Sequence, residues 1–415
     1  MQDLMINAVG AQGDGLARTA DGKPAFIPLT LPGELVHAQF DGARGEVVEI
    51  LTPSPERVAP PCRHYGTCGG CALQHWAGEP YRAWKAEQVR LQLSMEGLET
   101  EILPTFAAPP ASRRRVALHA RKGGKGQGAR LGFKERRSWN LVPIEECPVT
   151  DPRLVAALPA LARLAEPFLE HPKSAPTLHV TLTATGLDID ITGVERKSGG
   201  LSADARMRAA MAAGEGDFAR VTLAGETIYG ARQPLVKLGP AIVALPPGSF
   251  LQAVPAAEKA MVELAVAEAQ GASRVADLYC GVGTFTFRLA EVAQVYAAEV
   301  SAPAITALKA AVGATSGLKP ITAEARDLVR RPVLGTELVK TDVVVIDPPR
   351  AGAAEQTVEI AKSKVAKVVG VSCNPQTFAK DARVLVDAGF KLVRVTPVDQ
   401  FVWSPHIELV GVFTR

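Results

Sequence analysis

Cys373 sits in VSCNPQTF, residues 371–378, between the apolar run KVAKVVGV and an Asn-Pro pair. The run reads as a buried strand and Asn374-Pro375 as a turn out of it, so the thiol is expected at a strand tip, where α/β enzymes place their chemistry. Three other cysteines, Cys62, Cys68 and Cys71, form C-x5-C-x2-C in PCRHYGTCGGCALQH, and Cys147 in EECPV is a distant fourth. Four thiolates, with glycines that let the chain wrap tightly, suit a metal centre; a structural zinc and an iron–sulfur cluster are both open on this spacing. Cys280 lies in a glycine turn, where a small polarizable side chain simply packs. That leaves Cys373 as the cysteine without partners.

Such a thiol has a use if the substrate is a pyrimidine. Carbon 5 of uracil is a poor nucleophile, but thiolate addition at carbon 6 turns the ring into an enolate whose carbon 5 attacks an electrophilic methyl group. A base must then remove the proton from carbon 5. Glu408 in PHIELV, on the last expected strand, is the candidate, and His406 is its rival. The plain structural readings are a buried small residue at 373 and a solvated edge carboxylate at 408.

Two further motifs supply a pocket. DLYCGVGTFTF, residues 277–287, follows an expected strand and opens a helix. Gly281 and Gly283 would let the backbone approach a ligand, and Glu299 ends the next strand, where a carboxylate accepts hydrogen bonds from both ribose hydroxyls. Thr286 stands where a nicotinamide fingerprint has its third glycine, so the turn suits S-adenosylmethionine, which has no pyrophosphate to cradle. A purely structural glycine turn is the alternative. IDPPR, residues 346–350, puts Asp347 at another strand tip, braced by two prolines that fix the backbone. Proline pairs of this kind serve amino-methylation of bases when an aromatic follows; Arg350 follows here, which argues against that reaction.

These residues need a scaffold. From about residue 255 the sequence alternates strand and helix, ending in KLVRVTPVDQF and HIELVGVFTR, so a doubly wound parallel sheet with an antiparallel hairpin at its edge is expected. The first fifty residues alternate short β-like runs with turn residues, as a small β-barrel does. LTPSPERVAPPC, with four prolines, reads as a linker. GEPYRAWKAEQVRLQLSM has helical spacing, with Tyr81, Trp84, Val89 and Leu93 on its apolar face, and a further helix is expected at 153–169. The boundaries drawn are 1–55, 56–240 and 241–415.

With 415 residues, 47% of them hydrophobic, the chain can bury a large core. No basic leader with an apolar run and no stretch of membrane-spanning length is visible, so a cytoplasmic protein without a disulfide framework is expected. Net charge is only +3, yet residues 112–137 carry ten Lys or Arg against one acid, Glu135. Alternating segments flank KGGKGQG there, which predicts a hairpin with a basic rim. It reads either as a solvated surface or as a phosphate-contacting one.

Taken in order, CRHYGTCGGCALQH, SFLQA, DLYCGVGTFTF, DPPR, VSCNP and HIELV resemble the bacterial RNA uracil-5 methyltransferases, in the branch with an N-terminal TRAM domain and a 4Fe-4S cluster. The resemblance implies an α/β protein: a C-terminal Rossmann-like class I methyltransferase domain, an N-terminal OB/TRAM-like barrel and a central mixed α+β iron–sulfur domain. It also implies that Cys62, Cys68, Cys71 and Cys147 bind the cluster and that Cys373 is the nucleophile with Glu408 as base. Gln252, Tyr279, Thr284, Glu299, Asp327 and Asp347 would line the pocket for S-adenosylmethionine and the target base. The sequence departs from the family at Val254, at Thr284 and through DQFVWSPHIE. The implied partner is structured RNA, foremost 23S ribosomal RNA, acted on by a monomer. A transfer-RNA T-loop uridine, or a lapsed enzyme serving as an RNA-binding assembly factor, are the alternatives.

Overall fold

The computed structural model describes residues 1–124, 126–195 and 201–415; Lys125, at the tip of the expected basic hairpin, lies outside them. The C-terminal half is built on one twisted sheet. Its strands run in the order Ile321–Ala325, Gln294–Glu299, Arg274–Leu278, Val343–Ile346, Lys367–Ser372, Glu408–Thr414, Lys391–Asp399, with short strands Glu101–Ile102 and Phe106–Ala107 on the far edge. The first five are parallel. A parallel sheet covered on both faces requires near-continuous apolar strands, and these comply. Val275, Val343, Val345, Val369 and Val371 face one core with the helix Pro255–Glu268, while Ala276, Leu278, Val344, Ile346 and Val368 face a second with the helices Gly78–Met95 and Pro375–Asp387.

The closing hairpin differs from expectation in an informative way. Glu408–Thr414 inserts antiparallel beside Lys367–Ser372 instead of ending the sheet, and the true edge comes from residues 101–107. An edge at Lys391–Asp399 would have left a row of unpaired backbone groups, which the earlier segment covers.

A second sheet of seven strands runs from Leu141–Pro143 to Glu226–Gly230, with the helices Leu158–Ala165 and Ala203–Glu215 on its apolar face. The helix expected at 153–169 is broken into Pro152–Ala156, Leu158–Ala165 and a 3-10 turn Glu166–Leu169, because Pro159 and Pro167 each remove a backbone donor. The basic hairpin forms as Arg115–Lys122 paired with Ala129–Lys134. At the N-terminus six short strands curl into one sheet, Gln2–Met5 to Ala8–Val9.

The proline-rich stretch after it is no loose linker. Arg57 reaches back to the fully buried Glu34 and donates 2.8 Å to the carbonyl of Leu29, tying the stretch to the N-terminal sheet.

Candidate active site

The parallel strands reverse order between Arg274–Leu278 and Val343–Ile346, which opens a crevice at their carboxyl ends. A cavity of about 630 Å3 lies there, lined by Gln252, Tyr279, Gly281, Glu299, Asp327, Asp347, Cys373 and Glu408. They arrive from the ends of several elements, with Tyr279 and Gly281 sharing the turn after Arg274–Leu278. The strand register explains the central pair: Ser372 lies opposite Leu409, so Cys373, one residue past its strand, meets Glu408, the first residue of the antiparallel neighbour. Asn374 then caps the next helix by accepting from Gln376 N–H at 3.1 Å, and Pro375 occupies the first turn. The Asn-Pro pair therefore ends the strand and opens the helix in one step.

Burial raises the Cys373 thiol to about 11, and the neighbouring Glu408 carboxylate adds to the rise while Arg350 opposes it. Glu408 is itself pushed up to about 8 by burial and by Asp347, and Asp347 to about 7 by burial. A thiol with a high value beside a carboxylate with a raised one is a proton-transfer pair whose partners are matched more closely than in water. His406, the rival base, lines a different cavity.

At the glycine turn, Tyr279 adopts φ +63° and Gly281 φ +56°, both left-handed, and Gly281 has open space where a Cβ would stand. Glu299 accepts from Gly281 N–H at 3.3 Å and Ser301 N–H at 2.9 Å, which fixes its carboxylate at the cavity edge. The hydroxyl of Tyr279 is buried without a partner, a donor left for a ligand. Asp327 folds its own loop by accepting from Val329 and Arg330 N–H. Gly283 and Thr284 stand off the cavity wall. Gly283 is small for another reason: a Cβ there would lie 2.5 Å from the Phe287 ring.

Sequence reasoning missed Gln400. Its Nε2 donates to Glu408 Oε1 at 2.7 Å and to Gln252 Oε1 at 2.9 Å, and Gln252 Nε2 donates to Asp347 Oδ2 at 3.0 Å. No local pattern marks it, since one partner, Gln252, lies 148 residues away and the other, Glu408, is brought back to it only by the pairing of the last two strands.

Cys62, Cys68, Cys71 and Cys147 line a second cavity, of about 400 Å3. Burial raises the Cys62, Cys68 and Cys71 thiols, the last to about 12, and their mutual proximity adds to it. Sulfur acceptors are already engaged, Cys68 by Gly70 N–H at 3.4 Å and Cys147 by Thr150 Oγ1 at 3.2 Å. Among the described residues no three His, Cys, Asp or Glu converge as ligands of a single ion must. Phe401, Val402, Ser404 and His406 line this cavity too, while Glu408, at the end of the same segment, lines the first, so the segment after Asp399 touches both.

Lys85 holds that segment. Fully buried, its ammonium pairs with Asp399 and donates to the carbonyls of Phe401, 3.2 Å, and His406, 2.7 Å. Burial lowers it to about 8 in spite of Asp399.

Residues 242–415 match the tRNA (uracil-5-)-methyltransferase family model. An RNA methyltransferase of Caulobacter vibrioides is 94% identical over the whole of both chains, and one of Brucella suis is 46% identical over 99% of this chain and 97% of its own. The 23S rRNA (uracil(1939)-C(5))-methyltransferase RlmD of Halomonas elongata is 34% identical, covering 98% of this chain and 88% of its own. Among solved structures, the Pyrococcus abyssi tRNA (uracil-54, C5)-methyltransferase with S-adenosyl-L-homocysteine superposes over 100% of both chains with a TM-score of 0.72 at 22% identity, which gives the fold. A class I methyltransferase sheet and relatives matched along nearly its full length identify this chain as an RNA methyltransferase that belongs to the RNA uracil-5 methyltransferase family.

Proposed function

We propose that this enzyme methylates carbon 5 of a uridine in 23S ribosomal RNA, with Cys373 as nucleophile and Glu408 as base. One observation carries the reading: the thiol and the carboxylate face each other in the same cavity as the Gly281 turn and Glu299. S-adenosylmethionine, when bound against Tyr279, Gly281, Glu299 and Asp327, supplies an electrophilic methyl group. Cys373 gives its proton to solvent and its sulfur adds to carbon 6 of the uracil, moving the ring's double-bond electrons toward the carbonyl oxygen. Carbon 5 then takes the methyl group as the methyl's bond to the sulfonium sulfur breaks. Glu408, ionised, removes the proton from carbon 5; the carbon–sulfur bond breaks and the thiolate leaves. Ribosomal RNA as substrate is supported by the Halomonas relative, and in this reading the enzyme works in the cytoplasm. The uridine must be turned out of its stack to enter the crevice, at about a few kcal/mol. In this reading residues 1–55 form a TRAM-like RNA-binding barrel, 56–240 a central domain and 241–415 the catalytic domain of a monomer.

The cysteine cavity fits a 4Fe-4S cluster better than a single zinc ion. Its four thiols line one cavity, no three of them placed among the described residues to hold a single ion, and a cluster spreads its ligands over several irons. Cys62, Cys68, Cys71 and Cys147 would hold it, and it would supply a rigid centre for this face, since methylation consumes no electrons. Anaerobically purified protein is expected to be brown with iron and sulfide; a colourless zinc protein refutes the cluster.

The reaction is tested with RNA carrying 5-fluorouridine, in which the carbon 5 fluorine cannot leave as a proton does. With S-adenosylmethionine present, wild type should form a stable covalent complex and Cys373→Ala none. Glu408→Gln should trap the same complex on ordinary uridine. A complex that survives Cys373→Ala removes the nucleophile assignment.

A further inference from the structure

We propose that Gln400 locks the side-chain amide of Gln252 in the orientation that reads uracil and rejects cytosine. The proposal rests on the reading above that a pyrimidine enters this cavity. Gln252 lines the cavity and Gln400 lies behind it, 1% exposed. The two amides form a chain with a carboxylate at each end: Asp347 accepts from Gln252 Nε2, and Glu408 accepts from Gln400 Nε2. Once ionised, as Glu408 must be to act as base, a carboxylate only accepts, so in the working state each end fixes the direction of the amide beside it. The middle link completes the order, with Gln400 Nε2 donating 2.9 Å to Gln252 Oε1. Turning Gln252 over would set its NH2 against that of Gln400 and its carbonyl against Asp347.

Gln252 then keeps one free N–H and one free lone pair on its carbonyl. Uracil offers a donor at N3–H with a carbonyl on either side, which complements that pair. Cytosine has a bare lone pair at N3, which would face the Gln252 carbonyl, and a free amide would simply turn over to accommodate it. Gln400 removes that freedom. Its own carbonyl is buried without a partner, a burden that an apolar residue filling the same space would not carry. Gln400 thus acts through Gln252 and Glu408 as a positioning residue.

The test uses an RNA fragment spanning the methylated position, with 5-fluorouridine or 5-fluorocytidine at that one nucleotide. Covalent-complex formation is timed at saturating S-adenosylmethionine for wild type, Gln400→Met and Gln400→Asn, after thermal melts establish which variants fold. Wild type should prefer fluorouridine strongly. Gln400→Met, close in size and without the amide, should lose about tenfold or more of that preference. Gln400→Asn is too short to span both partners; it should lose a comparable share and serves if Gln400→Met does not fold. A purely structural role would slow both substrates by one factor, and an unchanged ratio in a folded variant overturns the lock. A wild type that forms no complex with fluorouridine overturns the reaction reading and the lock with it. A wild-type complex with an unchanged ratio in the variants overturns the lock alone.

Discussion

Glu408 carries the clearest conflict between stability and chemistry. Its folded value of about 8 stands above the ordinary 4.5, because burial and Asp347 both disfavour the charge. A carboxyl raised in this way contributes stability below about pH 4.5, and that contribution is lost as pH rises through about 8. The proposed reaction needs the ionised form, so in that reading the enzyme works where this residue destabilises it most. Glu408→Gln keeps the hydrogen bond from Gln400 and cannot ionise. It should unfold at the same temperature as wild type near pH 4 and be more stable by on the order of 1–3 kcal/mol at pH 8, as read from melts across that range. In the wild type, single-turnover release of the methylated RNA from its covalent complex should rise with pH and level off above about 8.

At the scale of elements, the helix Gly78–Met95 matters through one residue that its pattern disguises. Tyr81, Trp84, Val89 and Leu93 are buried as their spacing predicts, but Lys85 is buried with them, paired to Asp399. Lys85→Met should leave Asp399 without its cation in the core and cost about 3–5 kcal/mol in urea unfolding. Hydrogen exchange should quicken across residues 399–407, and kcat should fall more than substrate affinity, because Glu408 follows directly on that segment. Unchanged exchange there would mean that the segment is held from elsewhere, for instance by the Trp403 carbonyl, which accepts from Ala72 N–H at 2.8 Å and Leu73 N–H at 3.0 Å. The same long-range pairing explains what the sequence could reveal. Continuous apolar strands alternating with helices, together with the glycine turn, announce the parallel sheet, and Cys373 and Glu408 are visible because strand tips are. Lys85 reads locally as a solvated residue on a helix, and Gln400 as a polar residue after a strand. Their roles come from partners some three hundred and one hundred and fifty residues away in sequence. The position of the final strand was hidden for the same reason, since register depends on neighbours.

For the whole molecule the question is how a chain of net charge +3 holds RNA. The ten cations of residues 112–137 suggest a dense phosphate-binding rim, but the fold uses several of them internally. Arg114 pairs with Glu258, Arg115 donates to the carbonyls of Ser249 and Leu251, and Arg136 and Arg137 both clamp Asp14, whose side chain is 4% exposed. These bonds join the hairpin to the catalytic half and to the N-terminal barrel. Arg121, Lys122, Arg130 and Lys134 have no carboxylate partner among the described residues. Counterion release then predicts unequal effects. Replacing those four by alanine should reduce the slope of log affinity against log salt by about 3, at roughly 0.7 for each phosphate no longer neutralised on single-stranded RNA. Arg114→Ala should leave the slope alone and lower the melting temperature, since it strands the buried Glu258. Filter binding of a 23S ribosomal RNA fragment between about 50 and 200 mM salt separates the two classes. A slope that falls by about 0.7 for Arg114→Ala would mean that this internal arginine reaches a phosphate after all, and that its contact with Glu258 parts when RNA binds.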